Sequence, residues 1–249
     1  MPTDEMDQID QTTSALPRLA AIELGKAYGE SFKLGPVGFA LAPGATVAFL
    51  GKNGAGKSTL FQLLTGNLDA TGGEVLLDGQ RLTPDTPELK RCIGYLPQHA
   101  TLPRWVTGHE ILAYAASLYG LADPAPKVEA AEAYWDCASY RHKPLMTLSY
   151  GMQKRVALAL ATMHDPACLI LDEPHSGLDL FHIKALDNEI ARRARAGHTT
   201  IMSTHVAAFA ARLCDEVYLV ERGEVRSLID FAKHDFLGRI DAIETAFFA

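Results

Sequence analysis

Phosphate binding is the chemistry that the sequence indicates first, through the contiguous residues "GKNGAGKST" at 51–59. This stretch satisfies the pattern G-x-x-x-x-G-K-[ST], and it lies between a predicted strand at 46–50 and a helix predicted to begin at about Lys57. Its glycines let the chain curl so that successive backbone N–H groups point at phosphate oxygens, and the helix start adds a favourable dipole. An ordinary glycine turn capped by serine is the alternative, which the flanking strand and helix disfavour.

Two side chains of this loop have predicted tasks of their own. Lys57 is expected to reach the β and γ phosphates of a nucleoside triphosphate, and Ser58 is expected to place its hydroxyl on Mg²⁺. The nucleotide-binding residues predicted here are Gly51, Asn53, Gly54, Ala55, Gly56, Lys57, Ser58 and Thr59.

Two adjacent carboxylates follow an apolar run further along the chain, in "CLILDEP" at 168–174. They would lie at the carboxyl edge of a sheet, where open α/β sheets bind ligands. Asp172 is predicted to hold the water shell of the metal, and Glu173 to orient and polarise the attacking water. A strand end with solvated acids is the plainer alternative, and the glycine loop makes it less favourable.

A third candidate is the start of a predicted amphipathic helix, in "LSYGMQKR" at 148–155. Ser149 and Gly151 stand at its opening turn, where backbone N–H groups and one hydroxyl suffice to hold a phosphate. Considered alone, Ser149 is an N-cap of a kind found in any fold.

The elements that position these residues alternate between strands and helices. Apolar runs at 46–50, 168–172 and 199–204 are each followed by a helical pattern, which predicts a parallel sheet buried on both faces. A strand is predicted at 19–24 and a hairpin at 216–227. The region from Glu110 to about Tyr140 is helical, broken at "ADPAPK", and reads as a helical insertion.

Composition limits the function classes. The chain has 249 residues, 48% of them hydrophobic, and a formal net charge of −7, which argues against a nucleic-acid surface. Four dispersed cysteines predict neither a zinc site nor disulfides, and nine histidines show no ligand spacing. Residues 1–17 are expected to form a disordered tail, and no apolar run is long enough to cross a bilayer.

Six pieces occur in one order along the chain: "GKNGAGKST", "YLPQ" (95–98), "LSYGMQKR", "LILDEP", "SGLD" (176–179) and "STH" (203–205). Together they resemble the nucleotide-binding subunit of an ATP-binding-cassette transporter, of the bacterial exporter type with a separate permease chain. The resemblance implies a P-loop, RecA-like α/β core with a mostly parallel sheet, an N-terminal antiparallel β part and an inserted helical subdomain. It implies one domain over residues 18–249, with the insertion at about 99–163.

The resemblance also assigns roles to single residues. Tyr28 matches the aromatic residue that stacks on adenine, and Gln98 the glutamine that reaches the metal and the attacking water. His205 matches the histidine that contacts the γ-phosphate, and Asp179 the acid of the loop that links two active sites. Considered alone, Tyr28, Gln98 and His205 are each unremarkable.

By the same resemblance, Ser149 acts on the ATP held by the opposite subunit, so two chains share each site. The family pattern has glycine where Tyr150 stands and glutamine where Met152 stands. Because the other site residues are present, we predict a homodimer with two competent sites that bind ATP and Mg²⁺.

The implied function is ATP hydrolysis that powers transport, most simply export, through integral membrane permease subunits. The protein is expected to be cytoplasmic, peripheral on the inner face of the membrane, and to contact the membrane only through the permease. Trp105 is a candidate docking residue, with packing beneath the helical region as an equal alternative. Two other function classes stay open, a soluble cassette ATPase not coupled to transport and a regulatory module that binds ATP without turnover.

Overall fold

The computed structural model describes residues 16–29, 32–228 and 231–248. The predicted tail at 1–17 therefore falls almost entirely outside the described residues.

In chain order the described elements are β1 (Leu19–Tyr28), β2 (Phe32–Leu41), β3 (Thr46–Leu50), α1 (Lys57–Leu64), β4 (Gly72–Leu77), β5 (Gln80–Leu82), α2 (Pro87–Lys90), β6 (Ile93–Leu96), α3 (Gly108–Leu118), α4 (Pro124–Tyr134), α5 (Tyr150–Thr162), β7 (Cys168–Leu171), α6 (Leu180–Arg195), β8 (Thr199–Thr204), α7 (Ala207–Leu213), β9 (Glu216–Glu221), β10 (Glu224–Ser227) and α8 (Phe236–Phe248). The three predicted strand–helix units are present, as β3–α1, β7–α6 and β8–α7.

A six-stranded sheet in the order β10-β9-β3-β8-β7-β6 forms the centre of the molecule. Its strands are parallel except for β10, which pairs antiparallel with β9 at one edge. All five residues of β3 are buried, as a strand covered on both faces requires. Alternate side chains of β3 enter two different cores, Ala48 and Leu50 on one side and Val47 and Phe49 on the other.

A second, antiparallel sheet in the order β2-β1-β4-β5 covers one of these cores. Helix α1 packs in the same core, where Phe61 meets the ring of Phe49 edge-on at 5.9 Å. Tyr218 of β9 stacks on Phe49 from the other side at 5.1 Å. Because α1 begins where the glycine loop ends, this packing fixes the loop against the central sheet.

The helical region lies on the other core and consists of α3, α4 and α5. Trp135 is buried there and donates its indole N–H to Thr162 Oγ1 at 2.9 Å. Buried Glu132 accepts from Arg141 at 3.2 Å and lies 2.8 Å from His109 Nδ1. These contacts tie α4 to α3 and to the segment before α5, so the start of α5 has a defined position.

The structure confirms the predicted α/β class with a mostly parallel sheet, an antiparallel part and a hairpin at β9–β10. The first predicted strand is longer than 19–24, since β1 continues to Tyr28. The break between helices is shorter than the predicted "ADPAPK", because α4 already begins at Pro124. A proline is tolerated there, since it stands in the first helical turn. No described helix is both long and apolar enough to cross a membrane.

Candidate nucleotide-binding site

The glycine loop connects β3 to α1 at the carboxyl edge of the central sheet. Gly54 and Gly56 have φ values of +80° and +113°, which side chains with a Cβ rarely adopt. At Gly51 a Cβ would lie 2.4 Å from the carbonyl oxygen of Val220, so only glycine fits there. The turn of the β9–β10 hairpin contacts the loop, since Gly223 N–H donates to Ala55 O at 3.0 Å.

Lys57 is folded into this loop. Its ammonium donates to the carbonyl oxygens of Gly51 at 2.7 Å and Lys52 at 3.2 Å, and the residue is 7% exposed. Burial lowers the pKa of Lys57, and the nearby charges of Glu173 and Asp172 oppose that shift. The loop is therefore wrapped around one positive charge beside two carboxylates, an arrangement suited to a polyanion that comes with a cation.

Asp172 connects three elements through its two oxygens. Ser58 Oγ at the start of α1 donates to Asp172 Oδ2 at 3.0 Å, and Ser203 Oγ of β8 donates to Asp172 Oδ1. The same Ser203 hydroxyl accepts the backbone N–H of Glu173 at 2.8 Å. Sequence reasoning missed Ser203, although it is part of the quoted "STH", because only the folded sheet places β8 beside β7.

Glu173 has a backbone conformation unusual for a side chain of its size, with φ of +48°. Its carboxylate is buried, with 4% of the residue exposed, and both carboxylate oxygens lie 3.0 Å from His205 Nδ1. His175 Nε2 lies 3.5 Å from Glu173 Oε2, and burial lowers the pKa of His175. Strained backbone of this kind concentrates at functional sites.

Two adjoining clefts open above these residues. The larger, about 520 Å³, is lined by Phe32, Asn53, Gly54, Gly56, Lys57, Ser58, Thr59, Gln98, His99, Asp172 and Glu173. The smaller, about 330 Å³, adds Ser176, His205 and Phe247 to Gly51, Lys52, Asn53, Gln98 and Glu173. The structure thus brings the loop, both acids, Gln98 and His205 together around two adjoining clefts.

The donor set fits a magnesium ion. Ser58 and Asp172 offer a hydroxyl and a carboxylate oxygen 3.0 Å apart, and Gln98 lines the same cleft. Hard oxygen ligands that leave room for waters and substrate phosphates are what Mg²⁺ prefers.

Tyr28 is half exposed at the end of β1 and is not among the residues that line either cleft. Its ring lies 6.4 Å from the ring of Phe32, which does line the larger cleft. Sequence reasoning missed Phe32; its signal was an aromatic residue at the start of the next strand.

Ser149 is exposed and caps α5, with its Oγ accepting Met152 N–H at 3.3 Å. It lines neither cleft. Gly151 has a reason within its own chain, since a Cβ there would lie 2.7 Å from Gly177 O. Asp179 likewise serves its own helix, because its carboxylate caps α6 by accepting His182 N–H at 3.0 Å.

Lys154 of α5 is a further residue that sequence reasoning missed. It is fully buried, and its ammonium donates to the carbonyl oxygen of Glu173 at 3.2 Å and to that of Gln98 at 3.5 Å. Burial lowers its pKa to about 8. Tyr150 adds a bond from its hydroxyl to the same Gln98 carbonyl at 3.3 Å, so the start of α5 is tied to both clefts.

A glycine-rich loop between strand and helix, with an acid at the end of another parallel strand of the same sheet, defines a P-loop nucleotide-binding protein. A family model for the ABC transporter domain matches residues 34–176, more than half of the chain. The chain therefore belongs to the ABC transporter family, whose members bind ATP with Mg²⁺ and hydrolyse it.

Individual relatives agree with this placement. The chain is 31% identical over 209 residues to the linearmycin resistance ATP-binding protein LnrL of Bacillus subtilis, covering 83% of this chain and 67% of that one. It is 34% identical over 232 residues to the Nod factor export ATP-binding protein I of Sinorhizobium fredii, covering 90% of this chain and 66% of that one.

Solved structures show the same fold. The ATP-binding subunit of an ABC transporter superposes with a TM-score of 0.81 at 27% identity, covering 91% of this chain and 99% of that one. A dimeric ATP-binding cassette, MJ0796, in a post-hydrolysis state bound to ADP and Pi gives a TM-score of 0.77 at 22% identity, covering 84% and 97%.

Proposed function

We propose that this protein is the ATP-hydrolysing subunit of a transporter, and that two copies clasp ATP between them to power export through separate permease subunits. One observation carries the catalytic part of the proposal. The Glu173 carboxylate lies beside the phosphate loop with both oxygens 3.0 Å from His205 Nδ1. A buried carboxylate held by an imidazole at a triphosphate cleft is placed to position an attacking water.

The residues of the cleft divide the work of phosphoryl transfer. Lys57 and the backbone N–H groups of the loop hold the β and γ phosphates. To do so, the Lys57 ammonium gives up its hydrogen bonds to the loop carbonyls and donates to phosphate oxygens instead. Ser58, Asp172 and Gln98 would hold Mg²⁺, which neutralises phosphate charge when bound. Glu173 accepts a proton from water, and His205 orients the carboxylate and contacts the γ-phosphate.

The proposed homodimer is supported by exposed residues that lie outside the nucleotide clefts of their own protomer. Ser149 is exposed at the first turn of the 13-residue helix α5 and lies outside its own nucleotide clefts. Leu180 and Phe181, next to Asp179, expose 86% and 73% of their surface. Large apolar residues that adjoin a functional loop are typical of a surface that a partner covers. The solved MJ0796 cassette named above is a dimer.

In this dimer the N-terminus of α5 from one protomer closes over the ATP held by the other. The Ser149 hydroxyl, the free N–H groups and the helix dipole then stabilise the charge that develops on the γ-phosphate. Asp179 lies at the start of α6 in the segment that we expect to link the two sites.

The permease partner and the direction of transport rest on surface features and on relatives. Trp105 is 81% exposed in the segment between Gln98 and α3, which fits a docking site for a cytoplasmic helix of a membrane chain. The relatives named for linearmycin resistance and Nod factor export favour export. We accordingly place the protein in the cytoplasm, held at the inner face of the membrane by its permease.

The decisive experiment is Glu173→Gln. This isosteric change removes the carboxylate that accepts the proton, so we expect steady-state ATPase activity to fall at least about 100-fold. Because the phosphate loop is untouched, ATP binding should persist, and gel filtration with Mg·ATP should show a trapped dimer.

Glu129→Gln provides the matched control, since Glu129 is exposed on α4 and lines neither cleft. It should keep wild-type activity and form no trapped dimer. Hydrolysis that survives in Glu173→Gln, or a variant that stays monomeric with bound ATP, contradicts the proposal. Copurification from native membranes then tests the permease, because a multi-spanning chain should accompany the tagged protein.

A further inference from the structure

Three donor atoms from Glu173, His175 and His205 lie within 4.8 Å of one another. Glu173 Oε2 is 3.0 Å from His205 Nδ1 and 3.5 Å from His175 Nε2. The proposed hydrolysis uses Glu173 and His205, but it leaves His175 without a task. Two imidazoles and one carboxylate converging on one point are the donors of a transition-metal site.

The fold holds this cluster in place. Glu173 and His175 follow β7, and His205 follows β8, the parallel neighbour that pairs Leu171 with Met202. The His175 ring packs on the ring of Phe209, with the ring centroids 4.9 Å apart. A contact within the protein therefore holds the imidazole in place. Adjacent parallel strands therefore deliver all three donors to one edge of the sheet.

His175 supplies a second, independent observation. Both of its ring nitrogens are shielded from solvent, and neither makes a hydrogen bond within the described part of the chain. Buried imidazole nitrogens normally have a partner, and a metal ion is a common one. His205, by contrast, has a largely exposed side chain that lines the smaller cleft, which provides an entry path and a free coordination position.

The distances between the donor atoms and the donor types together indicate the kind of metal. Ligands bound at about 2.0–2.1 Å in a tetrahedron lie roughly 3.3 Å apart, close to the two distances measured to Glu173 Oε2. Imidazole nitrogens favour Zn²⁺, Co²⁺ or Ni²⁺ over Mg²⁺, which prefers oxygen donors such as those of Ser58 and Asp172. The two sites are thus adjacent but chemically distinct.

We propose that Glu173, His175 and His205 form a binding site for a Zn²⁺-type transition metal, and that its occupancy inhibits ATP hydrolysis. Inhibition follows because the ion engages the Glu173 carboxylate and the His205 imidazole, both of which hydrolysis requires. The claim that the metal binds depends only on the three side chains, whereas the claim that it inhibits hydrolysis rests on the proposed function.

Binding is tested without nucleotide. Tag-free protein is titrated with Co²⁺ while the visible d–d absorption of tetrahedral Co²⁺ is recorded. We expect one ion per chain in wild type and at least about tenfold weaker binding in both His175→Gln and His205→Gln, since each loses a ligand. His198→Gln is the matched control, because His198 precedes the strand that His205 follows and lies at its opposite end; it should bind as wild type does.

Absence of a one-to-one site in wild type, or wild-type affinity in either ligand variant, overturns the binding part. Circular dichroism checks the fold of His175→Gln, whose side chain is partly buried. If that variant does not fold, His205→Gln decides, because the His205 side chain is largely exposed.

Inhibition is tested with Mg·ATP in excess and free Zn²⁺ set by a chelating buffer, each variant being compared with its own metal-free rate. Wild type and His198→Gln should lose activity as Zn²⁺ rises, and His175→Gln should need at least about tenfold more Zn²⁺. Equal sensitivity of His175→Gln and wild type overturns the inhibitory part. A wild type that hydrolyses no ATP without Zn²⁺ counts instead against the proposed function, and the Co²⁺ titration still decides the metal site.

Discussion

The single residue Ser203 makes hydrogen bonds to both acids of the site. Its hydroxyl donates to Asp172 Oδ1 and accepts Glu173 N–H at 2.8 Å, with the whole residue buried. One side chain on β8 thereby orients an expected metal ligand and anchors the strained backbone of the expected base. Removing it leaves a buried N–H and a buried carboxylate oxygen with one partner fewer.

Ser203→Ala should therefore lower the free energy of unfolding by about 1–3 kcal/mol, because buried polar groups lose partners. Urea denaturation measures the loss, and the ATPase rate should fall with it. The control is Thr200→Val on the same strand, whose buried Oγ1 has no hydrogen-bond partner in the described structure. It should change stability much less, and an equal loss in both variants would contradict the role of Ser203.

Lys154 makes the stability of the nucleotide-free protein depend on pH. Burial lowers its pKa from 10.5 to about 8, so between these values the unfolded chain binds more protons than the folded one. Stability from this group therefore rises with pH from about 8 to 10.5, while below pH 8 the full penalty of the buried charge is present.

Lys154→Met should abolish this gain. We expect wild type to become more stable relative to the variant by on the order of 2 kcal/mol between pH 8 and pH 10. Urea unfolding of both proteins at several pH values measures the difference. A difference that stays constant over this range would show that Lys154 is not buried as a charged group.

At the scale of elements, the start of α5 is a junction held by contacts to two other segments. Tyr150 and Lys154 bond to the Gln98 carbonyl, and Gly151 faces the carbonyl oxygen of Gly177 in the segment before α6. The helix end that we expect to reach the partner nucleotide is thus coupled to residues on both sides of its own cleft.

Gly151→Ala tests this junction. The new Cβ would lie 2.7 Å from Gly177 O, so either α5 or the 176–179 segment must shift, at a cost of about 1–3 kcal/mol. We expect lower thermal stability and loss of the ATP-dependent dimer in gel filtration. Gly38→Ala is the matched control, because a Cβ at Gly38 on β2 meets nothing within 4 Å. If Gly151→Ala still dimerises with ATP, the packing at this junction does not position the helix for a partner.

Over the whole molecule, two cores lie on opposite faces of one sheet, one beneath the antiparallel sheet and α1 and the other beneath the helical region. The segment between Gln98 and α3 connects the cleft to the helical part and carries Trp105 on its surface. A partner bound there would contact a segment that begins at the nucleotide cleft, which is how we expect hydrolysis and transport to be coupled.

Trp105→Ala should separate docking from folding. Since the side chain is 81% exposed, stability should change by no more than about 0.5 kcal/mol, while recovery of the permease in copurification should fall several-fold. Leu237→Ala, which alters another exposed apolar residue on α8, should leave recovery unchanged. Undiminished recovery with Trp105→Ala would remove this residue from the docking surface.

The class of fold and the position of the phosphate loop follow from local sequence patterns. Phosphate binding here depends on contiguous residues, 51–59, and β3, β7 and β8 are each a buried apolar run followed by a helix. The expected roles of Ser149 and Asp179 toward a second subunit remain predictions, since in one chain both residues simply cap helices.

Which distant side chains meet at the sheet edge depends on how the strands pair in the folded chain. Ser203 reaches Asp172 and His205 reaches His175 and Glu173 because β8 pairs with β7 in one register, and a shift of that register would part them. Histidines dispersed along the chain showed no ligand spacing, since spacing along a sequence detects only donors on one local element. Convergence of separate strands is a property of the sheet, which no local pattern encodes.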